Sequence, residues 1–259
     1  MKVLELTCGY EQRDTLIADL HEHGTLGVSE TDFTPGRFRL QAFFDEQFDT
    51  GLFETFAPVW GDAEERDWRQ ESLDGWQPME AGKRFYLVPA WRDDAAPEGR
   101  IRLTIHPGLA FGTGADTTTQ LCLEALEECV KSGDRVFDIS TGTGILAEAA
   151  VLLGAGFVIA CDTDPDAANT ARENTPSAVN VFAGSSRAVA SASMDVIVAN
   201  IITETLGHIA PDMHRILKPG GTLILSGIAK QGAERLDGKF HVRERRERNE
   251  WLCLICENL

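Results

Sequence analysis

The sequence predicts a two-domain α/β protein, in which a small α+β domain precedes a larger domain built on a parallel sheet. Hydrophobic periodicity over residues 2–71 gives the order β-α-β-β-α-β, which is typical of a ferredoxin-like domain. From about residue 100 onwards, apolar strand patterns alternate with helix patterns, which is typical of a doubly wound sheet. The chain has 259 residues, enough for one large domain or two smaller ones.

The first domain is predicted to span residues 1–70, followed by a joint over 71–99 and the second domain over 100–259. A Thr-Pro-Gly turn at 34–36 separates the second strand of the first domain from the third. The joint begins with a helical linker over 72–82. The elements predicted for the first domain are strands at 2–9, 27–33, 37–44 and 65–71, and helices at 11–23 and 47–58.

The second domain is predicted to contain five strands, five helices and a terminal pair of strands. The strands are short apolar runs, and the helix patterns lie between them. The predicted strands are 135–139, 157–161, 179–183, 194–199 and 222–226. The predicted helices are 117–130, 144–153, 165–174, 204–217 and 229–236. The last stretch, 240–257, is predicted to form two antiparallel strands.

The charge balance favours a basic protein partner and disfavours nucleic acid. The chain carries 24 Lys and Arg against 41 Asp and Glu, a net charge of -17, and residues 1–95 alone account for -11 of it. Such a surface repels a phosphate backbone and attracts a basic protein. Solubility alone explains the acidity equally well. No apolar run reaches the length of a membrane span, and Glu5 interrupts any signal-peptide core, so we expect a cytoplasmic protein that acts as a monomer.

The six cysteines do not predict a metal site. Cys253 and Cys256 have the two-residue gap of a metal or redox pair. They lie in a strand-like run, where residues three apart point to opposite faces. There is no second such pair and no matching histidine cluster to complete four ligands. The pattern therefore indicates core packing, and we expect no metal.

A glycine turn after the first strand of the second domain predicts a nucleotide-like ligand. The run Val136–Ser140 leads through Thr-Gly-Thr-Gly to a helix, an arrangement that brings backbone close to a ligand and aims helix amides at a negative group. Asp162 ends the next strand, 20 residues beyond Gly142, where it can bind both ribose hydroxyls. Gly142-x-Gly144-x-x-Ala147 also fits a dinucleotide fingerprint, so these features alone do not separate NAD from S-adenosylmethionine.

The end of the fourth strand of the second domain favours S-adenosylmethionine. Asn200 is a lone amide after an apolar run, beside the inferred cofactor. Its carbonyl oxygen can hold a neutral amine by its hydrogens and aim the lone pair at a methyl sulfonium. Methyl transfer is an in-line displacement, for which positioning is much of the catalysis, and hydride transfer has no such need.

A second glycine loop, at 107–119, completes a pattern that resembles the PrmA family of ribosomal protein L11 methyltransferases. The resemblance covers essentially the whole chain, and this loop is its most specific element. The segments that carry the resemblance are Pro107–Gly114, Thr118-Thr119, Asp138–Ala147, Asp162–Pro165, Val198–Ile201 and Leu225–Ile228.

The resemblance implies a substrate-recognition domain followed by a class I S-adenosylmethionine-dependent methyltransferase domain, with a Rossmann-like sheet of seven strands. It implies methylation of lysine side chains and of the N-terminal amine of the basic ribosomal protein L11, with no direct need for nucleic acid. It also implies contacts to S-adenosyl-L-methionine, with Asn200 as the catalytic residue. The implied cofactor-binding residues are Phe111, Gly112, Thr113, Thr119, Ser140, Gly142, Gly144, Asp162 and Asn200.

Three positions depart from the pattern of the family. Ser140 stands where the first glycine of the turn is expected, and we expect it to keep a negative φ so that its hydroxyl can bind the cofactor. Asp116 stands where the family usually has His. Ser185, after the third strand, does not supply the acidic group often used to read adenine. Three other hypotheses remain: a methyltransferase of another basic protein, an NAD-binding oxidoreductase, and a degenerate binding module.

Overall fold

The computed structural model describes residues 2–9, 12–34, 37–62, 76–106, 114 and 116–258. The chain divides into two compact units, residues 1–76 and residues 77–259. No helix in these described ranges is long and apolar enough to cross a bilayer.

The first unit has the ferredoxin-like arrangement that the sequence predicts. Its sheet has the strand order β2-β3-β1-β4, and each adjacent pair is antiparallel. Helix α1 buries Leu16 and Leu20 against Leu4, Leu6 and Leu40 of the sheet. Its elements are β1 (Lys2–Gly9), α1 (Arg13–Glu22), β2 (Gly27–Thr34), β3 (Arg37–Phe44) and β4 (Val59–Asp62).

Two predicted elements of the first unit need correction. The helix predicted for 47–58 is a shorter 3-10 helix, Gly51–Phe56, which ends at Ala57 because that residue turns into the left-handed region, with φ at 50°. The strand predicted at 65–71 falls within 63–75, which lies outside the described residues. The strand that completes the described sheet is β4, which pairs antiparallel with β1.

The helical linker predicted for 72–82 is wrong in its described part. Residues Met79–Ala81 form a strand, β5, that pairs antiparallel with β6 (Phe85–Pro89). Gly82 adopts φ 58° and reverses the chain between the two strands. The turn at Gly82 overrides the local helical pattern. β6 pairs in parallel with β7 (Ile101–Ile105), so the predicted joint contributes two strands to a three-stranded sheet of the second unit.

The central sheet of the second unit has seven strands in the order β10-β9-β8-β11-β12-β14-β13. The first five are parallel, and β14 lies antiparallel between β12 and β13. The strands are β8 (Arg135–Ile139), β9 (Phe157–Asp162), β10 (Val179–Ala183), β11 (Met194–Asn200), β12 (Leu217–Ala229), β13 (His241–Arg248) and β14 (Trp251–Glu257). The helices are α2 (Thr117–Cys129), α3 (Ile145–Leu152), α4 (Pro165–Asn174) and α5 (Thr203–Ile216).

One predicted helix of the second unit is wrong. The stretch 229–236 contains the last residue of β12, then Gly232 at φ 101°, then a short 3-10 helix, Ala233–Leu236. Glycine in the left-handed region interrupts a helix. The four residues that follow are too few to nucleate a stable α-helix. The antiparallel pair predicted for 240–257 is confirmed as β13 and β14.

The cysteine pair of β14 packs in the core, as its spacing predicts. Cys253 and Cys256 are both buried and free. Cys256 shares a core cluster with Leu252 and Leu254, on one face of the strand. Cys253 faces the other way, and its proximity, together with burial, raises the pKa of the Cys122 thiol on α2. Among the residues of the described ranges, no three His, Cys, Asp or Glu side chains come together as metal ligands.

Candidate active site

The glycine turn lies where the parallel strand order reverses, between β8 and β11. Ligands of open α/β sheets bind at this switch point, beyond the carboxyl ends of the strands. After β8 the chain takes three left-handed positions, with φ 59° at Ser140, 55° at Gly142 and 89° at Gly144. At these three positions the chain turns across the end of the sheet and enters the first turn of α3.

The negative φ expected at Ser140 is wrong, since φ at this residue is positive. The amide of Thr141 donates to the carbonyl of Cys161 at 3.0 Å and ties the turn to the end of β9. We attribute the left-handed value at Ser140 to this tie, because the chain leaves β8 and at once points an amide at the neighbouring strand. A side chain in this region costs about 1 kcal/mol, so Ser140 carries strain that glycine would not.

Gly144 permits close packing of two helices at the turn. A Cβ at this position would lie 2.4 Å from Cγ2 of Thr175 and 3.4 Å from Cα of Ala171, which belongs to α4. Together with φ 89°, that contact makes glycine the only residue that fits without movement. The N-terminus of α3 is thereby held at the cavity edge, where Ile145 and Leu146 line the wall.

Asp162 lies at the end of β9, and its buried carboxylate braces the turn. Its Oδ2 accepts from the amide of Gly142 at 3.1 Å, and its Oδ1 accepts from the amide of Asp164 at 3.1 Å. A carboxylate has about four acceptor positions, so each oxygen keeps capacity for a further donor. Asp162 can therefore hold the turn and accept hydrogen bonds from a ligand at the same time.

Asn200 at the end of β11 and Thr119 on α2 are brought together, although 81 residues separate them. The Nδ2 of Asn200 donates to the Oγ1 of Thr119 at 3.1 Å. That bond sets the orientation of the amide. The Oδ1 of Asn200 is buried and has no hydrogen-bond partner among the described residues. A buried acceptor without a partner is costly, which marks it as a position for a ligand donor.

Asp116 has a structural role that accounts for its departure from the family pattern. It is the N-cap of α2, with its Oδ1 accepting from the amide of Thr119 and from the hydroxyl of Thr118, both at 2.8 Å. Asp is among the best N-cap residues. The cap fixes the first turn of α2 and, with it, the hydroxyl of Thr119 that Asn200 contacts.

These residues surround one cavity of about 590 Å³, within the range of small-molecule sites. Thr119, Ser140, Gly142, Asp162 and Asn200 all line it, whereas the predicted contact Gly144 packs against Thr175 and Ala171 and is not among the lining residues. The predicted contacts Phe111, Gly112 and Thr113 lie in 107–113, outside the described residues.

Three further residues of the cavity lining carry no role in the sequence analysis. Ile202 and Trp251 supply apolar surface, and Gly227 lies at a bulge of β12 with φ 78°. A Cβ on Gly227 would lie 2.5 Å from the carbonyl oxygen of Ile201, so glycine lets the chain after Asn200 pack close to β12. The segment Leu225–Ile228 is part of the sequence resemblance, but only the contact with Ile201 reveals its physical purpose.

One buried and one half-buried carboxyl near the turn are displaced toward the neutral form. Burial raises the pKa of Asp138, on β8, to about 7, although the hydroxyl of Thr141, 2.6 Å from its Oδ2, opposes that rise. Burial also raises the pKa of Glu148, on α3, to about 7, against the opposing effect of the backbone of Thr104. Both carboxyls change charge near neutral pH.

The fold and the arrangement of the site are those of class I methyltransferases. The antiparallel strand inserted between the last two strands of the sheet, the glycine turn after β8, the acidic end of β9 and the amide end of β11 occur together. The family model for "Ribosomal protein L11 methyltransferase (PrmA)" matches residues 2–258, and the chain belongs to this family. The hypothesis of an NAD-dependent oxidoreductase is therefore wrong.

Individual relatives support the same family. The chain is 42% identical over 200 residues to "Ribosomal protein L11 methyltransferase" of Symbiobacterium thermophilum, covering 76% of this chain and 66% of the relative. It is 35% identical over 247 residues to the protein of the same name from Cupriavidus metallidurans, covering 89% and 81%. A crystal structure of "ribosomal protein L11 methylase" from Lactobacillus delbrueckii subsp. bulgaricus has 28% identity and a TM-score of 0.63, covering 71% of this chain and all of that one.

Proposed function

We propose that this protein transfers methyl groups from S-adenosylmethionine to lysine side chains and to the N-terminal α-amine of ribosomal protein L11. The observation that carries the proposal is the buried Oδ1 of Asn200, which has no partner in the described ranges and belongs to a residue of the cavity wall. The relatives that share this family are named for that substrate.

The cavity fits the cofactor by the chemistry of its residues. Asp162 retains acceptor capacity for two ribose hydroxyls, and the turn at Gly142 and Gly144 lets a ligand approach the backbone. The positive end of the α3 dipole, where Ile145 and Leu146 line the cavity, suits a carboxylate. S-adenosylmethionine, when bound, supplies an electrophilic methyl group on its sulfonium sulfur. Thr119, Ser140 and Asn200 complete the set of residues that we propose to hold it.

In this proposal Asn200 orients the acceptor amine. Its Oδ1 accepts a hydrogen from the amine and so directs the nitrogen lone pair, while Thr119 prevents the amide from rotating. Only a neutral amine has that lone pair. The contribution is one of positioning, which lowers the barrier by limiting the orientations that the nucleophile can take.

The acceptor amine reaches the neutral state without a dedicated base among the described wall residues. The carboxylates of the wall, Asp116, Asp162 and Asp164, already accept hydrogen bonds from backbone amides. We therefore propose that water takes the proton as the amine enters.

We also propose that the N-terminal unit, predicted as residues 1–70, recognises the protein substrate. Its support is charge, since residues 1–70 carry 6 Lys and Arg against 15 Asp and Glu, a net charge of -9, and L11 is basic. The same charge argues against a direct requirement for nucleic acid. We expect the protein to act as a monomer in the cytoplasm, where its ribosomal substrate is made.

Mass spectrometry of purified L11 after incubation with this protein and S-adenosylmethionine tests the proposal. The expected result is a series of 14 Da additions, as each methyl replaces one hydrogen, located by fragmentation on lysines and on the α-amine. Unmodified L11, together with methylation of another basic protein, would favour the rival substrate. Binding of cofactor without transfer to any protein would favour the degenerate module, for which the strain at Ser140 is the supporting observation.

A further inference from the structure

Ile202 is an exposed apolar side chain on the wall of the cavity. It is 62% exposed, whereas Leu206 one turn further along α5 is fully buried. It lies two residues after Asn200 and lines the same cavity. A single exposed apolar residue needs no explanation on a general surface, but one beside an unpartnered buried acceptor lies where a ligand must pass.

The position of Ile202 in the fold favours a different residue type. Ile202 is the N-cap of α5, and its side chain makes no capping hydrogen bond. Helices α2 and α4 of the same unit are capped by Asp116 and Asp164, whose carboxylates accept amide hydrogens at 2.8 Å and 2.9 Å. Isoleucine is among the poorest N-cap residues, and Ser, Thr, Asp and Asn are the best. Neither burial nor capping thus accounts for isoleucine here.

We infer that Ile202 is a positioning residue, which packs against the methylene chain of the acceptor lysine while Asn200 holds its ε-amine. This inference rests on the proposed function. A lysine presents four methylenes between its backbone and its amine, whereas an α-amine is attached beside a polar peptide group. An apolar surface next to the amine-binding amide stabilises the first and gains little from the second. Ile202 therefore favours side-chain amines over the α-amine.

Trp251, the first residue of β14, is half-buried in the same wall and offers further apolar surface. The methylene chain would be removed from water by Ile202 and Trp251 together. Removal of the Ile202 side chain then removes only part of this apolar contact. We expect the Michaelis constant for lysine methylation to rise about five- to tenfold, as for the loss of one buried apolar contact.

The substitution Ile202→Ser tests the inference because its effects on stability and on activity have opposite signs. We expect the better cap to raise the melting temperature by about 2–4 °C. On purified L11, the ratio of lysine methylation to α-amine methylation should fall about five- to tenfold, while the affinity for S-adenosylhomocysteine, measured by calorimetry, stays unchanged. The conservative variant Ile202→Val should retain both the wild-type ratio and the wild-type Michaelis constant.

Val242 provides a matched control, since it is 45% exposed on the edge strand β13. Val242→Ser should leave the Michaelis constant and the ratio unchanged. An unchanged ratio in Ile202→Ser, with an active wild-type protein, would overturn the role of Ile202 alone. If the wild-type protein modifies no amine of L11, the proposed function itself is overturned. The rise in melting temperature of Ile202→Ser would still be observed in that case, because it depends only on the helix cap.

Discussion

The side-chain amide of Asn200 is held by the hydroxyl of Thr119, across 81 residues of sequence and 3.1 Å of space. The hydroxyl of Thr119 accepts a hydrogen bond from Nδ2 of Asn200. The other amide atom, the buried acceptor Oδ1, has no partner among the described residues. Asp116 holds Thr119 in place by capping α2 at its backbone amide. The amide at the end of β11, which we propose to be catalytic, is thus oriented by a helix that precedes the central sheet in sequence.

Loss of the hydroxyl of Thr119 should free the amide of Asn200. In Thr119→Val the shape of the side chain is kept but the acceptor is lost, and we expect turnover at saturating cofactor to fall about three- to tenfold, as for the loss of one neutral hydrogen bond. Thr119→Ser retains the hydroxyl and should retain turnover. Equal rates for Thr119→Val and the wild-type protein would show that the bond does not orient the amide.

Asp162→Asn should weaken cofactor binding. One carboxylate oxygen becomes an amide group that cannot accept from the amide of Gly142 or Asp164, and the charge that strengthens hydrogen bonds from ribose hydroxyls is lost. We expect the dissociation constant of S-adenosylhomocysteine to rise about ten- to hundredfold in calorimetry. Asp164→Asn is the control and should change it little, since its carboxylate caps α4. Equal affinities of Asp162→Asn and wild type would remove Asp162 from the cofactor site.

Ser140→Gly should stabilise the protein because φ at this position is 59°. Relief of the left-handed strain exceeds the extra flexibility of glycine in the unfolded chain, and we expect a net gain of about 0.5–1 kcal/mol in thermal unfolding. Ser140→Ala keeps the Cβ and should show no gain. Cofactor affinity should change by less than about fivefold, and a much larger gain would support the degenerate binding module.

Asp138→Asn should alter the pH dependence of stability. Burial raises the pKa of Asp138 from its usual 3.8 to about 7 in the folded protein, so its contribution to stability is full below about pH 4 and is lost as the pH rises through 7. Asparagine stays neutral and still accepts from Thr141. The melting temperature of the variant should therefore exceed that of wild type by an amount that grows by about 5 °C from pH 5 to pH 8. A constant difference across this range would show that Asp138 does not titrate there.

The sequence predicts the parallel sheet well because its strands contain short apolar runs, two of which end at a polar residue, Asp162 and Asn200. The strand and turn over Val136–Gly144 and the end of β9 at Asp162 can therefore be placed from the sequence alone. The helix predicted over 72–82 fails because the left-handed turn at Gly82 creates a hairpin that local propensity does not reveal.

Parts of the candidate site depend on contacts that no local pattern contains. The contact between Asn200 and Thr119 joins two distant segments, and the need for glycine at Gly227 arises only from the carbonyl of Ile201. The sequence predicts a negative φ at Ser140, because serine is small and Gly142 and Gly144 remain for the sharpest part of the turn. The hydrogen bond from the amide of Thr141 to the carbonyl of Cys161 overrides that preference. This hydrogen bond exists only once the two strands lie side by side in the folded sheet.

The most direct test of the account is single-turnover methylation of L11 by Asn200→Ala, measured beside the affinity of the same variant for S-adenosylhomocysteine. If Asn200 orients the amine, the rate of methyl transfer falls by at least about tenfold while cofactor affinity stays within a few-fold of wild type, because the lost interaction belongs to the transition state. An unchanged transfer rate, or a collapse of cofactor binding with normal transfer at saturation, would contradict the role assigned to the unpartnered amide oxygen.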